Sequence, residues 1–339
     1  MTPGAPLLPR RRLGRTGLSV GTLGLGVSFV AAQGQEVVTR GVQHAHDLGI
    51  DYFDTAPYYS EGEDEAMLGR ALVGMRQGIT LASKVGYTAD PQDHRRVEGL
   101  TAQLDGSLLR LRTDHLDVLQ IHEADFRKWW VDEPVTAEEG MSPTASLVSD
   151  DEAYDFADGP VVEFLARAVS AGKVRHVGVT GKDARRLARV VAALDIDVVM
   201  VAHQFNPVLR NAASCLLPVA AARDLGVLIG APLMKGWLAR PKRKWREAPP
   251  AWMDGPFHRA YFACVDLADE AGMDVGELTL RWMLGEPRLH ALVFGFRDPA
   301  EIRANVRAAS MPPLPDDLRR QVDAIGIVHP LLFQGRTAL

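Results

Sequence analysis

Short apolar runs and helix-period stretches take turns along this chain eight times, and few folds accommodate that rhythm. The runs fall at residues 22–26, 52–54, 80–84, 115–122, 176–180, 198–202, 227–231 and 291–295. Helical patterns follow at 36–48, 64–73, 97–111, 161–171, 184–193, 209–224, 257–271 with 275–284, and 299–308. A strand that is followed each time by a crossover helix pairs in parallel with the next. Eight such units without an internal linker predict an α/β protein, a (β/α)8 TIM barrel. One domain is expected over 1–339, with the barrel at about 20–308 and a C-terminal segment at 309–339. Residues 11–26 set short apolar pieces between glycine turns and add a hairpin ahead of the first barrel strand. A doubly wound sheet is the alternative, but Gly21, Gly24 and Gly26 lead into Val27 and Ser28, not into a helix, so no dinucleotide fingerprint follows the first strand.

Two stretches break the rhythm. Residues 123–159, after the fourth strand, hold Trp129 and Trp130 and then a run of acids that includes Glu133, Glu138 and Glu139. Residues 235–256, after the seventh, carry a basic patch at 241–246. Loops of this length inside a compact domain are functional or unstructured. The first reads equally as a substrate-facing lid, with Trp129, Trp130 and the nearby Tyr58 as substrate contacts, or as a solvated acidic excursion.

Composition narrows the class. A net charge of -5 and a pI near 6.1 give no global basic field for nucleic acid or an anionic membrane, and the patch at 241–246 reads as a solvated face. No apolar stretch of eighteen residues occurs, which excludes a spanning helix. The two cysteines, Cys215 and Cys264, lie in no metal or redox motif and read as free thiols in a reducing compartment, so a cytoplasmic location is expected. His44 and His46, two apart on a helix, do not share a face, and no metal site is expected.

Chemistry gathers where strands end. The stretch IDYFDTAPYYSEGEDEAMLGR at 50–70 puts Asp54 at the end of the second strand and Tyr59 in the loop after it; Lys84 closes the third strand and His122 the fourth. In a barrel that rim is where sites are built. A buried Lys84 needs a counter-charge, which Asp54 can supply. An ammonium near a phenol favours phenolate and draws the tyrosine down from about 10, each unit being worth about 1.4 kcal/mol. Tyr59 then serves as a general acid for carbonyl reduction and a base in reverse, and His122 orients the substrate oxygen. Taken singly, Asp54 reads as a turn former, Lys84 as a rim charge and His122 as a barrel-end histidine. Tyr58 competes with Tyr59, and register favours Tyr59.

The strings Asp54-Thr55-Ala56-Pro57-Tyr58-Tyr59 and Leu68-Gly69-Arg70-Ala71-Leu72, with LASK at Lys84 and LDVLQIH at His122, resemble the aldo-keto reductases, and the resemblance runs in order from about Arg12 to Asn305. It implies a hairpin plug under the barrel and a catalytic set of Asp54, Tyr59, Lys84 and His122. It implies also a nicotinamide cofactor in the barrel mouth, because no side chain carries hydride. The contacts carried over are Gly26, Asp54, Thr180, Gln204 (in Gln204-Phe205-Asn206-Pro207), Ala231, Leu233, Lys235, Gly295, Phe296, Arg297, Glu301 and Asn305. The chain departs from the family in two places: Thr180-Gly181 stands where Ser-Asn is usual, and Gly230 where many members stack a tyrosine. The second departure resembles the branch of aldose and galactose dehydrogenases. Gly295, Phe296 and Arg297 lead into a helix N-terminus suited to the pyrophosphate. A carboxylate at 301 disfavours a 2'-phosphate, which leans the choice to NAD(H) over NADP(H). Asp298, Pro299 and Glu301 also spell a capping box, and Arg297 could still grip a phosphate. The expectation is an NAD(P)-dependent enzyme that interconverts a carbonyl compound (aldehyde, ketone or sugar lactol) and an alcohol. A catalytically silent cofactor-binding regulatory subunit, like the channel-associated β subunits of the family, is the alternative.

Overall fold

The computed structural model describes residues 8–87, 90, 92–132 and 147–330. A two-stranded antiparallel hairpin, β1 (Arg10–Arg12) and β2 (Ser19–Gly21), precedes a closed barrel of eight parallel strands. These are β3 (Leu23–Gly26), β4 (Tyr52–Asp54), β5 (Thr80–Val85), β6 (Leu116–Ile121), β7 (Val174–Gly181), β8 (Val198–Ala202), β9 (Gly226–Gly230) and β10 (Ala291–Phe294), with β10 pairing β3 to close the ring. The helices between them are α1 (Gln35–Asp47), α2 (Glu63–Ala71), α3 (Val97–Leu111), α4 (Pro160–Ser170), α5 (Ala184–Ala193), α6 (Asn211–Ser214), α7 (Leu216–Ala222), α8 (Gly255–Glu270), α9 (Val275–Leu284), α10 (Pro299–Ser310) and α11 (Asp316–Ile325). The fold is the TIM barrel that the alternation predicts. One expected helix, 209–224, is two short ones that break at Cys215.

Side-chain parity sorts the barrel interior, since every second strand residue points inward. Tyr52, Ala82, Val118, Val198, Met200, Leu228, Ala291 and Val293 form an inner core with Leu13 and Val20 of the hairpin region. The hairpin plugs the end of the barrel where the strands begin. Its Gly14, at φ +51, lies so close to β9 that a Cβ would sit 2.1 Å from the Gly226 nitrogen, and Arg15 donates its amide to the Asp224 carbonyl at 2.6 Å. Two positions further along the same faces come Asp54, Lys84 and Gln120, at the open end. The far end of the chain packs back as well: Ile327 donates its amide to Val208 O at 2.9 Å, and Arg210 donates to Ile327 O at 2.8 Å.

The irregular stretches are partly built in. After β6, Phe126 bridges to Leu147, and Phe126, Trp129, Val148 and Phe156 are buried; 133–146, including Glu133, Glu138 and Glu139, lie outside the described residues. The basic patch forms a 3-10 turn (Arg243–Arg246) whose Arg243 and Arg246 pair with Asp269 and Asp266 of α8 at 2.7 and 2.5 Å. No described helix is long and apolar enough to cross a membrane, and no cluster of potential metal ligands occurs among the described residues.

Candidate active site

Lys84 lies at the centre of the barrel mouth. Its Nζ donates to Asp54 Oδ1 at 2.5 Å and to the Thr55 carbonyl at 2.7 Å, while Gln120 Nε2 donates to Asp54 Oδ2 at 2.9 Å. Lys84 is 2% exposed and Asp54 4%, so the pair is compensated inside the protein with little help from water. Burial alone would lower the lysine pKa; Asp54 and Tyr59 together outweigh it and hold the ammonium above its ordinary value.

Tyr59 begins a 3-10 turn (Tyr59–Gly62) just past β4, and its ring centroid lies 4.9 Å from Lys84 Nζ. Burial raises the phenol pKa; the charge and hydrogen bond of Lys84 pull it back, and Asp54 adds to the rise. The net shift is upward, which corrects the expectation that Lys84 draws the phenol toward neutrality. Desolvation wins because Asp54 spends much of the ammonium's field. His122 stands edge-on to Tyr59, with ring centroids 5.6 Å apart at 89°. Burial, then Lys84, Lys182 and Lys128, push its pKa well below 6.5, so the ring is neutral at neutral pH.

Aromatic rings wall this group. Tyr58 stacks on Tyr87 at 4.3 Å, Tyr87 meets His122 at 5.1 Å, and Phe29 lies 5.0 Å from Tyr59. Phe29 is 51% exposed at φ +56, and Asp64 fixes the turn by accepting its amide at 2.5 Å and that of Val30 at 3.2 Å. Trp129 is buried behind His122, where its indole N–H donates to the His122 carbonyl at 3.3 Å. It covers Gly86, at φ +119, where a Cβ would fall 2.7 Å from the indole. Trp130 is half-buried and donates to Ala124 O at 2.7 Å.

Across the mouth the residues carried over for a nucleotide are arranged differently. Gly26 pairs in register with Asp54. Thr180 and Gln204 are buried at strand ends; Thr180 Oγ1 accepts the Glu123 amide at 2.9 Å, and Gln204 Oε1 accepts from Asn211 Nδ2 at 2.8 Å. After β9, Ala231, Met234 and Lys235 all have positive φ, with Leu233 buried among them. Gly230 lies against Met200, whose sulfur is 3.3 Å from where a Cβ would be. Phe296 is buried, with its ring against Gly41 of α1. The amides at the start of α10 are already engaged: Asp298 Oδ1 accepts those of Ala300 and Glu301 at 2.8 and 3.0 Å, and Glu301 accepts that of Arg297 at 2.9 Å. Glu301 also pairs with Arg297 at 2.8 Å and with Arg240. Asn305 follows one turn along α10, half-buried.

Sequence reasoning missed several groups. Gln120 was legible, because it lies two positions before His122 and so on the same face. Tyr87, Phe29, Lys128, Glu123 and Lys182 sit in loops, where no period assigns a direction. Lys128 Nζ lies 4.2 Å above the Tyr87 ring, and burial lowers its pKa to about 8. Glu123 pairs with Lys182 across the loops that follow β6 and β7.

A barrel with a buried Lys–Asp pair, a phenol and a neutral imidazole at the ends of consecutive strands defines a class of enzyme. The model of the Aldo/keto reductase family matches residues 18–327, and the chain belongs to that family. It is similar to L-galactose dehydrogenase of Arabidopsis thaliana, 26% identical over 314 residues that cover 88% of each chain. It is also similar to L-glyceraldehyde 3-phosphate reductase of Escherichia coli K12, 25% identical over 88% of this chain and 86% of the relative. An aldo-keto reductase of Schizosaccharomyces pombe with NADP(+) in its name is 22% identical over 82% of this chain and 80% of its own. The fold matches that of an aldo-keto reductase from Bacillus halodurans in its holo form, with a TM-score of 0.68 and 22% identity over 95% of this chain and 98% of the other. The protein is an oxidoreductase of carbonyl–alcohol interconversion.

Proposed function

We propose that this enzyme reduces an aldehyde, ketone or sugar lactone, or oxidises the matching alcohol or lactol, with Tyr59 as the group that gives or takes the proton. The observation that carries the reading is the reach of one ammonium: Lys84 bonds Asp54 and Thr55 and bears on the Tyr59 phenol. Tyr59 stays protonated at neutral pH and can donate to a developing alkoxide. Lys84 offsets the negative charge left on the phenol. His122 is neutral, its buried Nδ1 has no partner among the described residues, and with its hydrogen on Nε2 the ring can direct it to the substrate oxygen.

The residues fit a nicotinamide cofactor. With Gln204 Oε1 taken by Asn211, its Nε2 amide is left to donate to a carboxamide oxygen, and the Thr180 hydroxyl still has its own hydrogen to give. A bound nicotinamide supplies or accepts the hydride. Lys235 and the backbone after β9 would hold the pyrophosphate, and Arg240, Arg297 and Glu301 the adenosine end. The lean to NAD(H) rests on Glu301, which competes for the two arginines that a 2'-phosphate needs.

Hydroxylated substrates are favoured by the two relatives named for a galactose and a glyceraldehyde phosphate, and by Gly230 in place of a stacking ring. A silent regulatory subunit would have no use for a buried Asp54 carboxylate held by both Lys84 and Gln120. Titration with NADH and NADPH, read by tryptophan fluorescence, tests the reading. Saturable binding of either supports it, and binding of neither overturns it.

A further inference from the structure

Glu123 follows His122 directly and stands in a conformation that a glutamate rarely takes, at φ +60. It is held there: its amide donates to Thr180 Oγ1 at 2.9 Å, the next amide, of Ala124, donates to Thr180 O at 2.8 Å, and one carboxylate oxygen pairs with Lys182. The other oxygen, Oε2, is buried and has no partner among the described residues. The residue is 6% exposed, and its charge is felt by Tyr59. Strained backbone beside a reacting group, together with an unpartnered buried acceptor, marks a position kept for a ligand.

We infer that Glu123, anchored by Lys182, is a specificity-determining residue that accepts a hydrogen bond from a substrate hydroxyl near the reacting carbon. The missing partner has to be a donor, since a carboxylate only accepts. It has to be an uncharged one, because Lys84, Lys128 and Lys182 surround the site and repel a cation. Burial outweighs those lysines and raises the Glu123 pKa above the ordinary carboxylate value; in the carboxylate form Oε2 makes the stronger, charge-assisted bond. This inference rests on the hydride-transfer reading above and names the substrate class for it: carbonyl compounds with a neighbouring hydroxyl.

The test compares DL-glyceraldehyde with propanal, which share a three-carbon skeleton, in NAD(P)H-dependent reduction. The wild type should prefer glyceraldehyde in kcat/KM. Glu123→Leu should cut that preference by about ten- to a hundredfold, the worth of one charge-assisted hydrogen bond, with Glu123→Gln in between. The glutamine variant keeps the shape of the side chain and carries the test if the leucine variant misfolds. An unchanged preference in the glutamine and leucine variants overturns the inference. So does weakened NADH or NADPH binding with the preference intact at saturating nucleotide, which would give Glu123 to the cofactor's carboxamide. A wild type that binds neither nucleotide and reduces neither aldehyde sinks the hydride-transfer reading itself, an outcome distinct from the other two.

Discussion

The two sides of the barrel mouth are built on opposite plans. On the β4–β6 side, Asp54, Lys84 and Gln120 are buried side chains on strands, and each charged atom has a partner within the barrel. On the β9–β10 side the groups are loop backbone at positive φ and exposed ion pairs, with Glu301 shared between Arg240 and Arg297. Buried charge on strands fixes geometry but is costly to disturb, whereas exposed charge on loops can change partners at little cost. In the function proposed above, proton transfer would use the first plan and exchange of a large anionic ligand the second.

The sharpest way to break the contrast is to remove a group from the rigid side. Tyr59→Phe should lower kcat by about 10²- to 10⁴-fold, the usual worth of a general acid, and leave nucleotide affinity within about twofold. Stopped-flow turnover beside fluorescence titration reads the two; near-normal turnover would move the proton to Tyr58. Lys84→Met should cost about 3–5 kcal/mol of stability in urea unfolding, because it leaves Asp54 buried with Gln120 alone. A loss below about 1 kcal/mol would mean that the pair is wetter than its burial implies.

The same division governs what could be read from the chain. The eight-unit rhythm specified the barrel because apolar period and element length are local properties, and the parity of each strand then aimed Asp54, Lys84 and His122 at one rim. Gln120 follows from that parity as well. Glu123 and Lys182 were not legible, since their pairing depends on two loops meeting in space and on a left-handed residue that no pattern announces. The direction of the Tyr59 shift was also out of reach. It is a difference between burial and the Lys84 field, and the sequence states neither the depth of the phenol nor how fully Asp54 neutralises the lysine.

That shift gives a pH prediction. A phenol whose pKa lies above the ordinary 10 is protonated through neutrality, so carbonyl reduction should be flat from about pH 6 to 9. Alcohol oxidation needs the phenolate, whose fraction grows about tenfold per pH unit below the pKa, so log kcat/KM for oxidation should climb with a slope near one up to at least pH ~9.5. Rate profiles in both directions check this. A plateau in oxidation below about pH 8 would show that the Lys84 field prevails over burial once substrate is bound.

The smallest effect belongs to the flexible side. Glu301 holds Arg240 and Arg297 and accepts the Arg297 amide, so in the cofactor site proposed above a 2'-phosphate would have to take the arginines from a carboxylate already in place. Exposed pairs of this kind are worth at most about 1 kcal/mol each, and their exchange for a phosphate is near balance. Glu301→Arg removes the competitor and adds a cation, and should move the ratio of NADPH to NADH affinity about tenfold toward NADPH, less at high salt because the groups are exposed. Paired titrations at low and high ionic strength read it. A ratio that stays fixed would reduce Glu301 to its capping role at the start of α10, and the choice of dinucleotide would then rest on the strained backbone after β9.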